Sequence, residues 1–299
     1  IFDNSNAGVE INQGGDPMLQ RCTIRTNHGS GIVVWKDGRG KIEHCDISRN
    51  AIVGIHIKNR GIPNIDSSKI HHNLGVGLHI QDAGRGHIEN CEIFANTLCG
   101  VAISKEGDPT IIRSHIHNEK SSGVQIYDHG RGTLIDCEIF DNTRVGIELK
   151  SESHSIIQNC KIKSMGKAGI TLEESGATIS NCQISNNATA GIHIMRNGNP
   201  TVTSCEISNN RGLGIILDSA SEGTIKHCNI RQNTIAGIEI KPQGNPSVHH
   251  CHIHQHAGYG LKISQGARGN IKECDLTQNG RGSILTEHVN TVELVQNKL

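Results

Sequence analysis

The chain has 299 residues and a balanced formal charge, with 29 Lys and Arg against 29 Asp and Glu. That balance leaves no basic footprint for nucleic acid, and no apolar run approaches the ~20 residues of a membrane span. Only 2% of the residues are aromatic, and 35 residues are glycine. A globular enzyme of this size usually has more aromatic residues in its core.

A glycine that precedes an apolar alternation recurs in steps of 23 residues, shortened twice to 22. Recurrence at a fixed step is the signature of stacked repeats. The thirteen glycines are Gly8, Gly31, Gly54, Gly77, Gly100, Gly123, Gly146, Gly169, Gly191, Gly214, Gly237, Gly260 and Gly282. No linker interrupts them, so residues 1–299 are predicted to form one repeat domain. Because the chain opens with Ile1 and not Met, we expect a fragment of a longer protein.

Each repeat predicts two strands. The first follows the glycine, as in Ile55 and Ile57, and the second has the spacing of Ile42, Cys45, Ile47 and Asn50. Period-two alternation in short segments bounded by glycine is typical of strands. The second spacing also fits a leucine-rich repeat, but the segment after Asn50, "AIVGIHIKN", reads as a strand and not as a helix. We therefore predict an all-β fold, a single right-handed parallel β-helix of about 13 coils.

Stacking turns each repeat position into a column. One column is asparagine, and we expect a ladder in which each Asn takes the left-handed turn conformation. Ten of the eleven cysteines share another column, from Cys22 to Cys274, and should be small buried groups without disulfides. Unpaired thiols favour a reducing, intracellular setting. Cys99 alone is out of phase and is the one candidate for a reactive thiol.

The repeats resemble a known family. The phrases "SGIVVWKDGRGKIEHCDISRNAIVGIHIK" and "NGNPTVTSCEISNNRGLGI" are similar to the carbohydrate-binding-and-sugar-hydrolase (NosD-like, CASH) β-helix repeat, and most like that of F-box only protein 11 and its relatives. In those F-box proteins the resemblance implies a substrate-binding arm of a ubiquitin ligase. No F-box or zinc-binding segment is present in this sequence.

Aromatic residues in outward columns are the predicted binding site. Every phenylalanine lies one residue after an inward Ile of the second strand, and Phe94 and Phe140 alternate there with His71 and His117. Exposed rings about 10 Å apart would anchor a peptide or a flat partner. A second pair of candidates, expected to point outward from the first strand, is Trp35 with Tyr127.

Two weaker candidates concern chemistry. Glu173 and Asp218 fall in one column two coils apart, roughly 10 Å, near the upper limit for an inverting glycosidase pair. In "SVHHCHIHQH", His250, His252 and His254 are expected on one outward face, where they would be metal ligands with no evident carboxylate partner.

The sequence thus favours recognition of a protein partner, with no cofactor and no metal. It argues against catalysis without deciding whether the protein is an enzyme. The alternative is a protein that binds or modifies a polysaccharide by lyase, hydrolase or epimerase chemistry. Neither nucleic acid nor membrane is expected as a partner.

Overall fold

The computed structural model describes residues 1–287 and 291–299, and its regular elements there are all β-strands. The residues group into two compact units. Unit 1 comprises residues 1–148 and 152–156, and unit 2 comprises residues 149–151 and 157–299. The interpretation of the chain as one domain stays a prediction.

Three kinds of strand alternate along the chain. The post-glycine strands are β1 (Val9–Ile11), β4 (Ile32–Val34), β7 (Val53–Ile57), β10 (Val76–Ile80), β13 (Val101–Ile103), β16 (Val124–Ile126), β19 (Ile147–Leu149), β22 (Ile170–Glu173), β25 (Ala190–Met195), β28 (Leu213–Leu217), β31 (Ala236–Ile240), β34 (Tyr259–Ile263) and β36 (Gly282–Thr286).

The pre-cysteine strands are β2 (Met18–Gln20), β5 (Lys41–Glu43), β8 (Asn64–Asp66), β11 (His87–Glu89), β14 (Thr110–Ile112), β17 (Thr133–Ile135), β20 (His154–Gln158), β23 (Gly176–Ser180), β26 (Thr201–Thr203), β29 (Glu222–Lys226), β32 (Asn245–His249), β35 (Arg268–Lys272) and β37 (Thr291–Val295). The post-cysteine strands are β3 (Thr23–Arg25), β6 (Asp46–Ser48), β9 (Lys69–His71), β12 (Glu92–Phe94), β15 (His115–His117), β18 (Glu138–Phe140), β21 (Lys161–Lys163), β24 (Gln183–Ser185), β27 (Glu206–Ser208), β30 (Asn229–Arg231) and β33 (His252–His254).

Each strand pairs in parallel with its counterpart one coil along. In unit 1 the post-glycine sheet runs in the order β1-β4-β7-β10-β13-β16, and in unit 2 it runs β22-β25-β28-β31-β34-β36. Registers keep equivalent residues side by side, as with Ile47 beside Ile70. The inward isoleucines are fully buried. The predicted fold class, a parallel β-solenoid, is confirmed, and the leucine-rich alternative is excluded because strands and not helices follow the asparagines.

The prediction of two strands per coil is wrong, because most coils have three. The second predicted strand splits just before the cysteine, where His44 has a φ of 52° and bends the chain between β5 and β6. A residue in this left-handed conformation makes a sharp bend in the chain. The last glycine of the predicted repeat is also out of register: Tyr259 pairs with Gly282, so Ser283 stands where Gly260 stands one coil earlier.

The asparagine ladder is present, but its conformation differs from the prediction. Asn50 Nδ2 donates to Asn73 Oδ1 over 3.0 Å, and Asn73 Nδ2 donates to Asn96 Oδ1 over 3.0 Å. Positive φ falls on the residue before each asparagine, for example 55° at Arg49. The asparagines are therefore buried, bonded side chains, and their neighbours make the turn. His256 takes the ladder position once, accepting from the backbone N–H of Asn233 over 3.0 Å.

The cysteines are free, and all of them are buried except the half-buried Cys22. Cys91 Sγ lies 3.2 Å from the carbonyl oxygen of Glu89, a weak hydrogen bond that helps to satisfy the buried thiol. Burial raises the pKa of Cys91 to about 12. Cys99 is 1% exposed, and burial together with the nearby Glu119 raises its pKa to about 12. A buried, protonated thiol is a poor nucleophile, so the structure argues against a reactive Cys99.

Within residues 1–287 and 291–299, no helix has the length and apolar character needed to cross a bilayer.

Candidate functional site

The aromatic column of unit 1 forms a stack of rings. His71, Phe94, His117 and Phe140 are successive register partners on β9, β12, β15 and β18. Their ring centroids are 4.6, 5.3 and 4.6 Å apart, with planes within 10° of parallel. Each ring therefore covers the faces of its neighbours and offers solvent mainly an edge. We call these four residues the ring stack.

Carboxylates hold the histidines of the ring stack from the side. His71 Nε2 lies 3.3 Å from Asp46 Oδ2, and His117 Nε2 lies 3.5 Å from Glu92 Oε1. Burial lowers the pKa of His117 in spite of the opposing charge of Glu92. The rings are thus packed and oriented, and they do not protrude.

The expected exposure of this column is only partly found. Phe2 is 62% exposed, whereas Phe94 and Phe140 are half-buried. Ser48, in the same column, is only 4% exposed. Phe94 and Phe140 are brought together with His71 and His117 as predicted, but as one another's packing partners.

Trp35 and Tyr127 are not brought together. They follow β4 and β16 directly, at the same repeat position four coils apart, roughly 19 Å at the usual strand spacing. Lys36 Nζ lies 4.1 Å above the Trp35 ring, and the Trp35 Nε1 atom is buried without a hydrogen-bond partner. Tyr127 is 37% exposed. Both follow their strands instead of lying on them, which corrects the predicted placement.

Sequence reasoning missed a pair of histidines on the outer face of β7 and β10. The rings of His56 and His79 stack with centroids 5.0 Å apart. Burial lowers the pKa of His79 and lowers that of His56 to about 4, so both imidazoles are neutral at pH 7. The pairing follows from register, because His56 lies beside His79.

Glu173 and Asp218 belong to one column of unit 2 but bind different partners. Glu173 pairs with Met195 in register, and Asp218 follows β28 one coil further on. Arg196 Nη1 lies 3.3 Å from Glu173 Oε1. Asp218 contacts His193 Nε2 at 3.1 Å and Lys241 Nζ at 3.4 Å. Each carboxylate is therefore neutralised separately.

These contacts continue along the outer side of the same sheet as a row of alternating charge. Lys262 Nζ donates to Glu239 Oε1 over 2.6 Å. We use the name charge row for the seven side chains of Glu173, His193, Arg196, Asp218, Glu239, Lys241 and Lys262. Partial burial would raise the pKa of Asp218, but the hydrogen bond from His193 and the charge of Lys241 outweigh it and lower that pKa. Asp218 is thus an ionised acceptor at pH 7.

The three histidines predicted on one outward face are divided. His250 has a φ of 51° at the bend between β32 and β33; its ring stacks on His227 at 5.2 Å and its Nδ1 lies 3.0 Å from Glu273 Oε2. His252 and His254 stack on each other at 3.7 Å, and His254 is only 8% exposed. Their nitrogens do not converge on a common point.

The carboxylate partners that the sequence did not reveal are Glu273, against His250, and Asp275, 3.8 Å from His252. They lie one coil further along the chain, where sequence proximity gives no signal. In the described residues no three His, Cys, Asp or Glu side chains are grouped so that they could hold a metal ion.

Comparison with known proteins identifies the type of fold. The family model described as "Right handed beta helix region" matches residues 1–60, 53–194 and 152–299. A search of curated proteins found no match. Among solved structures, the periplasmic alginate epimerase AlgG is similar with a TM-score of 0.69 and 16% identity, over 91% of this chain and 77% of that one.

Two further structures share the fold. The A-module of mannuronan C-5 epimerase AlgE4 from Azotobacter vinelandii has a TM-score of 0.54 and 12% identity, over 95% of this chain and 86% of its own. The catalytic domain of a GH87 α-1,3-glucanase has a TM-score of 0.57 and 12% identity, over 92% of this chain and 65% of its own.

At these identities the structural likeness establishes the fold alone. The comparisons do not confirm the finer assignment to the NosD-like repeat of F-box only protein 11, and none of these three structures is described as a ubiquitin-ligase arm. The family model, in contrast, matches segments that together cover the whole sequence. The chain therefore belongs to the right-handed β-helix family.

Proposed function

We propose that the protein binds a polysaccharide along the outer face of the post-glycine sheet of unit 2. The observation that carries this proposal is the charge row, in which donors and acceptors alternate over the strands β22, β25, β28, β31 and β34. Coils repeat every ~4.8 Å, so a linear polymer lying along the row would meet a polar side chain at each step. The epimerases and the glucanase that share the fold are named for polysaccharides.

The ion pairs suit recognition of hydroxyl groups. A sugar hydroxyl both donates and accepts, and paired Asp, Glu, Lys and Arg side chains present both functions in fixed positions. Partial exposure leaves these groups accessible: the side chains of Asp218 and Lys241 are 32% and 37% exposed. The pairs also hold their geometry before a ligand arrives, which lowers the entropic cost of binding.

Hydrolysis by Glu173 and Asp218 is less well supported than binding. A glycosidase needs one carboxylic acid with a raised pKa as proton donor. Asp218 has a lowered pKa, and Glu173 is paired with Arg196. Neither residue has the environment of a general acid.

A second candidate is proton abstraction from a polyuronate, favoured by one contact. Asp218 Oδ2 lies 3.1 Å from His193 Nε2, and a carboxylate so placed orients an imidazole. His193 Nδ1 would then be the general base, and Lys241 would stabilise negative charge that develops on the substrate. Lyase and epimerase chemistry both begin with such a step.

Recognition of a protein partner through the ring stack receives less support, because the faces of Phe94 and Phe140 are already covered by His117. The free thiols alone support the proposal that the protein is located inside the cell.

The test is binding of labelled neutral and uronic-acid polysaccharides to the full chain. The double variant Glu173→Gln, Asp218→Asn should bind the preferred polymer at least ~10-fold more weakly, since it removes two charge-assisted contacts. Glu10→Gln is the matched control, because Glu10 lies outward on β1 of unit 1. Failure of every polysaccharide to bind would refute the proposal. New unsaturated ends that disappear in His193→Ala would establish the second candidate.

A further inference from the structure

An open pocket of ≈ 470 Å³ lies beside β34 and β36 of unit 2, at one end of the charge row. Its principal lining residues are Ile235, Gly258, Tyr259, Lys262, Arg281 and Leu285. Lys262 is also the last member of the charge row, so the pocket and the row share a side chain.

Two backbones approach each other closely at Gly258, in the lining of the pocket. A Cβ atom there would lie 1.8 Å from the carbonyl oxygen of Ile235, far inside van der Waals contact. The close approach of these two backbones therefore requires glycine.

Part of the pocket lining is apolar. Tyr259 is half-buried and packs against the buried cluster that includes Ile216 and Ala236. Ile235 is 50% exposed and Leu285 is 36% exposed. An aromatic ring beside exposed aliphatic groups is a surface for an apolar ring face.

Two of the lining residues are cationic. Lys262 is held by Glu239 at 2.6 Å, so its charge is compensated. The Arg281 side chain is exposed, and within residues 1–287 and 291–299 it forms no ion pair or side-chain hydrogen bond. The described residues thus leave this guanidinium uncompensated, and it shares the lining of the pocket with Tyr259. Its planar fork matches a carboxylate.

We propose that this pocket binds one carboxylate-bearing sugar, a uronic acid residue, of the polymer that lies on the charge row. Arg281 would receive the carboxylate in a bidentate contact, and the C–H face of the sugar ring would lie on Tyr259 and Leu285. This inference rests on the proposed function and adds to it the acidic group and the subsite.

The experiment measures binding of short oligouronates, neutral oligosaccharides of equal length and a sulfated oligosaccharide by calorimetry. Arg281→Gln should weaken oligouronate binding ~10-fold or more, because a charge-assisted bidentate contact is lost. Arg144→Gln is the control: Arg144 stands two residues after the ladder residue Asn142, as Arg281 stands two after Asn279, but it lies in unit 1. Tyr259→Leu, which keeps an apolar group, should also weaken binding.

The outcomes separate the two proposals. Equal affinity of wild type and Arg281→Gln for oligouronates, or a preference for neutral or sulfated ligands, would overturn the subsite and leave polysaccharide binding standing. Absence of binding by every saccharide would overturn both. Loss of affinity in Arg281→Gln with retention in Arg144→Gln supports the subsite.

Discussion

Replacement of Glu119 by glutamine tests how the buried ladder responds to charge. Glu119 occupies an asparagine position of the ladder and is fully buried. Its Oε2 accepts from the backbone N–H of Asn96 over 2.6 Å and its Oε1 accepts from Asn96 Nδ2 over 3.1 Å. Burial raises its pKa from 4.5 to about 8, despite these two hydrogen bonds. An ionised carboxylate at this position therefore lowers the free energy of unfolding, and an amide would not.

The magnitude follows from linkage. Because the folded-state pKa is raised, the folded protein binds the proton more tightly than the unfolded chain. The stabilising contribution of protonated Glu119 is complete below pH 4.5 and is lost as the pH rises to about 8. Each pH unit in that window corresponds to about 1.36 kcal/mol, so the loss at pH 7 is about 3 kcal/mol. Glu119→Gln keeps an acceptor for Asn96, and its amide can donate to Asn142 Oδ1, which already accepts from the Glu119 backbone N–H over 3.0 Å.

The assay is chemical unfolding of both proteins from pH 4.5 to pH 8.5. We expect the variant to exceed wild type by about 4 kcal/mol at pH 8 and to match it near pH 4.5. Glu106→Gln, an exposed turn residue of the same unit, should show no such difference. A constant difference between variant and wild type across the whole pH range would refute the reasoning, as would a variant that is less stable at pH 8.

Three further predictions concern packing and the state of the cysteines. Phe94→Ala should lower the free energy of unfolding by about 1–3 kcal/mol, because the two ring faces that Phe94 covers lose contact; this loss is smaller than that for truncation of a fully buried Phe. Phe94→His should restore most of the lost stability. An unchanged melting temperature in Phe94→Ala would instead support the predicted exposed anchor. Titration with a thiol reagent in denaturant without reductant should find all eleven cysteines free, whereas paired cysteines would contradict both the thiol ladder and the expected reducing setting. Gly258→Ala should destabilise unit 2, read from its melting temperature, because the new Cβ would meet the Ile235 carbonyl at 1.8 Å; a neutral effect would show that the two backbones separate without cost.

Much of the fold could be predicted from the repeat alone. A constant step of 22–23 residues makes each coil a near copy of the last, so inward residues such as Ile47 and Ile70 follow from their phase. The same reasoning identified the columns of asparagine and cysteine. It failed on the third strand, which begins because the residue before the cysteine position, for example His44, takes a left-handed conformation that its side chain does not require.

The candidate site depended on tertiary structure. The sequence placed Glu173 and Asp218 in one column, and it placed Phe94 beside His117, because register determines which residues are neighbours. Only the structure showed that the rings stack face to face and that the two carboxylates are bound by different cations. Rotamers decide these contacts, and they respond to side chains one coil away and to local burial. The Arg281 pocket depends in addition on how the side chains of Ile235, Tyr259 and Arg281, which belong to three different coils, come together, and a repeat pattern gives the order of these residues but not their rotamers.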